Sequence, residues 1–280
     1  MLWAYSKSRE KRMKMFASDL DRTLIYSKRA LEALQTPLTE KMIPVERRNK
    51  EEVSFMTKES FFLLQEIAKE SLVVPVTTRT YEQYKRVFIF EKEIPVTYSV
   101  TNNGSHIYYR GELMEDWKTK VLSRLEEECI KKEVLLKQLE NYSIKGTLKI
   151  ADNLFFYYIL KQELSSDEKN RMTEMAKAVG WKLSLQGKKL YFMPLPICKG
   201  EAIKYIQKRE GIKTVVGAGD SILDEPFLAI CDSPLIPRHG ELASQWKNGN
   251  SHDHLTKSSG AYAGEEIIQH VHKLFTTIRK

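Results

Sequence analysis

Three short apolar runs in this chain each end in a polar cluster, and that punctuation limits the folds open to it more than any other feature. Met15-Phe16-Ala17 runs into Ser18-Asp19-Leu20-Asp21-Arg22-Thr23. Leu72-Val73-Val74-Pro75-Val76 runs into Thr77-Thr78-Arg79, and Lys213-Thr214-Val215-Val216-Gly217-Ala218 into Gly219-Asp220. Each run reads as a buried strand. Phe61-Phe62-Leu63-Leu64, with Ile67 and Ala68 at helical spacing, reads as a helix with Thr57 as its N-cap. Further helices are expected at about 199–210, 221–230 and 263–278. The stretch between Ala17 and Phe61 reads as a polar loop. Strands alternating with helices imply an α/β fold with a parallel sheet and right-handed crossovers. In such sheets ligands bind beyond the carboxyl ends of the strands, where all three polar clusters fall.

The middle of the chain has a different rhythm. A long helical pattern covers about Asp116 to Tyr142, followed by strand-like runs at Thr147–Ile150 and Leu154–Leu160 joined by Asp152-Asn153. A second helix is expected at about Ser166–Ala178, then strands Lys182–Leu185 and Leu190–Met193 joined through Gln186-Gly187. Helix-strand-strand, twice, makes an α+β unit with a four-stranded antiparallel sheet, inserted into the α/β core. The expected division is a core of 1–82 and 195–280 and an insert of 83–194, with Gly104 and Pro194-Leu195-Pro196 as crossing points.

Asp19 and Asp21 sit two apart, so on an extended chain they point the same way. Two like charges that close call for something positive beside them, and Asp oxygens suit Mg²⁺. On these residues alone a solvated turn and a cation site are both open. Likewise Lys199 alone is a solvated lysine opening a helix, Thr77 alone a strand-end cap, and Asp220 and Asp224 alone an N-cap and a first-turn carboxylate.

Composition removes several classes. No stretch approaches the roughly 18 apolar residues of a membrane span. No apolar region follows the basic start, so no signal peptide is expected. Cys129, Cys198 and Cys231 are isolated, which argues against a disulfide frame or zinc site and for a reducing, cytoplasmic setting. The formal charge is +8, and Lys7, Arg9, Lys11, Arg12 and Lys14 against Glu10 supply about half of it. This basic arm is read as solvated. No nucleic-acid module accompanies it, so nucleic acid is not an expected partner. A basic balance favours anionic, phosphorylated substrates. His252-Asp253-His254 lies in a Gly/Asn/Ser-rich loop and reads as solvated, as do Lys188 and Lys189 at the second hairpin of the insert.

Taken in order, Asp19-Leu20-Asp21-Arg22-Thr23, Thr77-Thr78-Arg79, Lys199-Gly200 and Gly219-Asp220-Ser221-Ile222-Leu223-Asp224 resemble the four motifs of the haloacid dehalogenase (HAD) superfamily of phosphatases. The insert resembles the C2-type cap of the Cof and sucrose-phosphate-phosphatase branch, and Thr101-Asn102-Asn103-Gly104-Ser105 the segment that opens it. The resemblance implies a Rossmann-like core with an αββαββ cap. The implied activity is a Mg²⁺-dependent phosphomonoester hydrolase acting on a small phosphorylated metabolite, most simply a sugar phosphate. Asp19 would be the nucleophile, forming an aspartyl-phosphate, and Asp21 the acid and base. Asp19, Asp220 and the backbone carbonyl of Asp21 would hold Mg²⁺, with Asp224 in support. Thr77 and the backbone N–H groups of Leu20 and Thr78 would bind phosphoryl oxygens, and Lys199 would neutralise charge between Asp19 and the phosphate; Arg79 would reach substrate or form a surface salt bridge, and Asn103 would reach substrate or only form a turn.

The chain departs from the family pattern at three places. Arg22 and Thr78 stand where glycine is common, and Leu223 where the Cof branch has asparagine. Two other functions stay open: a phosphomutase or phosphotransferase on the same fold, and a non-catalytic binding module using the pocket and the basic arm.

Overall fold

The computed structural model describes residues 13–246 and 254–277. The basic arm up to Arg12, and His252 and Asp253, lie outside the described residues. The first strand, β1 (Lys14–Ser18), is buried beyond its first residue. A short β2 (Tyr26–Ser27) and the helix Lys28–Ala33 follow. Then comes a hairpin of β3 (Met42–Arg48) and β4 (Glu51–Thr57), giving a three-stranded sheet in the order β2-β4-β3. The polar loop expected here is therefore a folded hairpin. Its tip, Arg47 to Glu52, is charged, which hides the apolar alternation of Val45, Phe55 and Met56. Its two-residue turn, Asn49-Lys50, has positive φ at both positions (50° and 68°). Hairpin turns of that form favour glycine second, so lysine there gives no turn signal.

Thr57 caps the helix Lys58–Glu70, its Oγ1 accepting from Ser60 N at 3.1 Å. β5 (Leu72–Pro75), the short helices Tyr81–Tyr84 and Ile89–Lys92, β6 (Tyr98–Thr101), a 3₁₀ turn at Asn102–Gly104, β7 (His106–Tyr109) and β8 (Glu112–Leu113) complete the first half.

Met114–Cys198 is a compact unit of its own. Its helices are Glu115–Glu128, Lys132–Leu139 and Ser166–Ala178. Its strands are β9 (Gly146–Ala151), β10 (Phe155–Leu160), β11 (Trp181–Gln186) and β12 (Lys189–Pro194), in the antiparallel order β11-β12-β10-β9. The single helix expected over 116–142 is two. Cys129 is extended, Ile130 N donates to Val179 O at 3.1 Å, and Trp181 Nε1 donates to Ile130 O at 2.9 Å. A Cβ on Gly180 would lie 2.0 Å from Glu128 O, so the close approach that holds the break needs glycine.

The described residues up to Leu113 and from Lys199 onward form the other unit. It adds the helix Lys199–Glu210, β13 (Thr214–Ala218), the short helix Glu225–Leu228, β14 (Ser233–Leu235) and the helices Glu241–Trp246 and Ala261–Thr277. Its central sheet is parallel, in the order β14-β13-β1-β5. Phe16, Val73 and Val216 of that sheet share a core with Phe61, Leu64 and Ile67 of one helix and Ile267, Ile268 and Val271 of another. The expected 221–230 helix is one short turn, Glu225–Leu228, because the chain before it folds around Asp224. The boundary expected at 82/83 also moves. Tyr84, Val87, Ile89, Phe90 and Ile94 belong to the core of this unit, and Thr77 N donates to Val100 O at 2.9 Å, tying β6 to the end of β5.

Candidate active site

The carboxyl ends of β1, β5 and β13 converge because the strands pair in parallel: Ser18 is opposite both Pro75 and Ala218. Asp19 follows β1 directly, its N–H donating to Ala218 O at 2.8 Å. Lys199 opens its helix and is only 1% exposed. Its Nζ donates to Asp19 Oδ1 at 2.7 Å and Asp224 Oδ1 at 2.5 Å. Ser221 N and Oγ both donate to Asp224 Oδ2 at 2.9 Å, which fixes that carboxylate from the other side. A Cβ on Gly219 would lie 2.5 Å from Asp224 Cβ, so this glycine makes room for Asp224. Arg22 Nε reaches Asp220 Oδ2 at 3.4 Å.

Oxygens of Asp19, Asp220 and Asp224 lie within 4.8 Å of one another, all three residues buried. Burial pushes the Asp19 carboxyl up to about 7; Lys199 opposes the rise, and Asp224 and Asp21 add to it. Burial, with Asp19 and Asp224 adding, also raises Asp220 well above the usual carboxylate range. Lys199 moves so as to keep its charge: burial works against it, and the two carboxylates it bonds prevail. The Lys199 ammonium, with the Arg22 guanidinium 3.4 Å from Asp220, thus faces three carboxylates, which leaves an excess of negative charge. A hard cation with oxygen ligands fits this donor set and relieves the excess charge.

Asp21 does not join that cluster with its side chain. Leu20, between the two aspartates, is buried, and β1 has already ended, so the strand period does not carry Asp21 to the side of Asp19. The Asp21 side chain is 51% exposed and takes Arg79 Nε and Nη2 on its two oxygens, each at 2.7 Å. Of the two roles open to Arg79, substrate contact and a salt bridge, the structure shows the salt bridge: its guanidinium is engaged by the carboxylates of Asp21 and Glu46. Thr77 is fully buried, its Oγ1 accepting from Arg79 N at 3.2 Å and its carbonyl from Asn103 N at 3.0 Å. Asn103 is buried with φ 58°, and Thr78 is half-buried beside them. Leu223 is buried and brings no polar group to the site, unlike the asparagine it replaces.

Sequence reasoning missed three contributors. Arg22 adopts φ 63°, a left-handed conformation for which its glycine-favoured position was the signal. His239 Nδ1 accepts from Gly260 N at 3.2 Å, so its Nε2–H donates to Arg22 O at 2.9 Å and pins the loop after Asp21. Burial lowers His239 to about 4, keeping it neutral, with the Arg22 carbonyl opposing and the Arg22 charge assisting. Glu46 lies on the unforeseen hairpin and has no motif signal at all.

No family model matches the sequence, and no curated protein is similar to it in sequence. Solved structures are similar in fold. The sucrose-phosphatase of Synechocystis sp. PCC6803, solved with sucrose and phosphate, has a TM-score of 0.66 at 21% identity, over 93% of this chain and 98% of its own. A haloacid dehalogenase-like hydrolase from Bacillus subtilis has a TM-score of 0.56 at 18% identity, over 98% of each chain. BT1666 from Bacteroides thetaiotaomicron, a HAD-superfamily phosphatase, has a TM-score of 0.55 at 12% identity, over 93% of this chain and 96% of its own. The fold is that of the HAD phosphatases, with a parallel core sheet and a separate antiparallel four-stranded sheet. Among the described residues no helix is long and apolar enough to cross a membrane.

Proposed function

We propose that this chain is a Mg²⁺-dependent phosphomonoester hydrolase acting on a small phosphorylated metabolite, most simply a sugar phosphate. The observation that carries the reading is the buried Lys199 bridging Asp19 and Asp224, with Asp220 alongside, at the carboxyl edge of the parallel sheet. The fold shared with a sucrose-phosphatase and with HAD-superfamily phosphatases supports the substrate class. Asp19, Asp220 and the backbone carbonyl of Asp21 would hold Mg²⁺, with Asp224 in support. When bound, the ion supplies charge neutralisation at the phosphoryl oxygens.

The remaining chemistry belongs to the chain's own residues. An Asp19 oxygen attacks phosphorus, and the electron pair of the breaking P–O bond leaves with the alcohol oxygen, which takes a proton from the Asp21 carboxyl. Water then attacks the aspartyl-phosphate. Asp21 takes the water's proton, Asp19 is released as carboxylate, and inorganic phosphate departs. Lys199 holds Asp19 in place and offsets the charge that gathers there. Thr77, with the backbone N–H groups of Leu20 and Thr78, orients the phosphoryl oxygens, and Asn103 contacts the substrate beside them. The three free, half-buried cysteines support a reducing, cytoplasmic setting.

The test is phosphate release from sucrose phosphate, trehalose 6-phosphate and hexose monophosphates, with Mg²⁺ and with chelator, for wild type and Asp19→Asn. Release that needs Mg²⁺ and is lost in Asp19→Asn is the expected outcome. Isomerised sugar phosphate without free phosphate would replace the hydrolase with a mutase.

A further inference from the structure

Arg79 is engaged on all sides by protein oxygens. A guanidinium has five N–H donors in one plane. Nε faces Asp21 Oδ2 at 2.7 Å, and Nη2 faces Asp21 Oδ1 at 2.7 Å and Glu46 Oε2 at 3.0 Å. Nη1 faces Glu46 Oε1 at 2.9 Å and Gln83 O at 3.4 Å. Five donors meet five acceptors. Burial works against the charge of Arg79, but its bonds to Asp21 and Glu46 outweigh burial and hold the guanidinium charged. A phosphate ligand would have to displace one of two bidentate carboxylates.

Glu46 is the outer half of this arrangement. It is a carboxylate only 3% exposed, at an irregularity of β3 where the register with β4 shifts on both sides of it. Ser54 Oγ, on the facing strand, donates to its Oε2 at 2.6 Å, and Arg86 Nε stands 3.5 Å from its Oε1. Carboxylates buried to this degree are rare unless paired. Here the pairing fixes the plane of the guanidinium from behind while its other edge meets Asp21. Asp21 is half exposed, and Arg79 holds both of its carboxylate oxygens.

We propose that Glu46, carried in by the β3–β4 hairpin, is a positioning residue for the proton transfers of Asp21, acting through Arg79, and that Arg79 itself is not a phosphate ligand. The inference rests on the phosphatase reading, in which Asp21 protonates the leaving oxygen. It predicts a defect in the P–O-cleaving step that depends on the leaving group, beside a defect in hydrolysis of the aspartyl-phosphate that does not. An alkoxide needs Asp21's proton as the P–O bond breaks, whereas p-nitrophenolate departs without one.

The experiment compares wild type, Glu46→Gln, Arg79→Lys and Asp21→Asn on sucrose phosphate, glucose 6-phosphate and p-nitrophenyl phosphate. Glu46→Gln is expected to lower kcat on the sugar phosphates by about 10-fold, a fraction of a full general-acid effect. KM stays within about twofold, and single-turnover release of p-nitrophenolate from p-nitrophenyl phosphate, which reads the P–O-cleaving step alone, is nearly unchanged, as befits a lost orientation rather than lost binding. Arg79→Lys follows the same pattern, and Glu46→Asp restores part of the loss. Equal losses in the P–O-cleaving step on all three substrates, or a rise in KM alone, would overturn the proposal. Should Glu46→Gln fold poorly, Ser54→Ala, which removes one bond to Glu46, is expected to show the same discrimination at smaller size; equal loss there overturns it too. Wild type that turns over none of the three counts against the phosphatase reading, and the clamp is then read by NMR. The Arg79 Nε–H exchanges slowly with solvent in wild type and quickly in Glu46→Gln if the clamp exists. Fast exchange in wild type overturns it.

Discussion

Asp19 sits under opposing demands. Burial raises its carboxyl from the ordinary 3.8 to about 7, while Lys199 at 2.7 Å pulls the other way. A carboxyl whose folded value lies above its unfolded value stabilises the fold in full below the unfolded value, and the gain is lost as pH rises through the folded one. The metal-free protein is therefore expected to lose stability between about pH 4 and 7 on account of Asp19. In the proposed reading Mg²⁺ would bind the carboxylate form and restore that stability. Melting curves with chelator and with Mg²⁺ at pH 5 and pH 8 check this: the gain in Tm is larger at pH 8, and equal gains would count against Asp19 as a ligand. Lys199 is the other half of the balance. Lys199→Ala removes the donor that both Asp19 and Asp224 use, and kcat on the preferred sugar phosphate is expected to fall by about 10²–10³-fold.

At the scale of elements, the hairpin β3–β4 is what motif reading could not see, and its turn offers a direct probe. Lys50 sits at φ 68°, where a Cβ costs energy and glycine does not. Lys50→Gly is expected to raise stability by about 1 kcal/mol, read as a higher denaturation midpoint with unchanged slope. Asp19, Thr77 and Asp220 were legible because each ends an apolar strand, and a parallel sheet brings strand ends to one edge. Lys199 and Asp224 were legible only through the order of motifs. Glu46 and His239 were not legible at all. Glu46 acts across a hairpin hidden by its charged tip, and His239 acts by accepting from Gly260 N–H and donating to Arg22 O. Such tertiary bonds leave no local spacing. The break after Glu128 escaped for the same reason, since the cause lies fifty residues on, at Val179 to Trp181.

At the scale of the whole molecule, the formal charge of +8 bears on rate more than on fold. A dianionic substrate is attracted over distances of about a Debye length, so kcat/KM is expected to fall as salt rises from 0.02 to 0.5 M while kcat changes little, values chosen as roughly spanning strong to weak screening. An unchanged kcat/KM would mean the basic residues play no part in substrate capture.

The pairing of β1 with β13 joins Lys14 to Thr214, while Met114–Cys198 contains both strands of each of its hairpins. Closing a loop of roughly 200 residues is entropically costlier and slower than closing a hairpin. On a ribosome, Asp19 and Thr77 emerge long before Lys199 and Asp220, and the inserted unit is complete before its host can close. Trp117 and Trp181 are both buried in that unit. With Trp3 and Trp246 replaced by phenylalanine, tryptophan fluorescence during refolding should settle first, and phosphatase activity should lag behind it. The chain would then be born with its inserted unit finished and the proposed chemistry still to be assembled, silent toward cellular phosphates until its last third has folded.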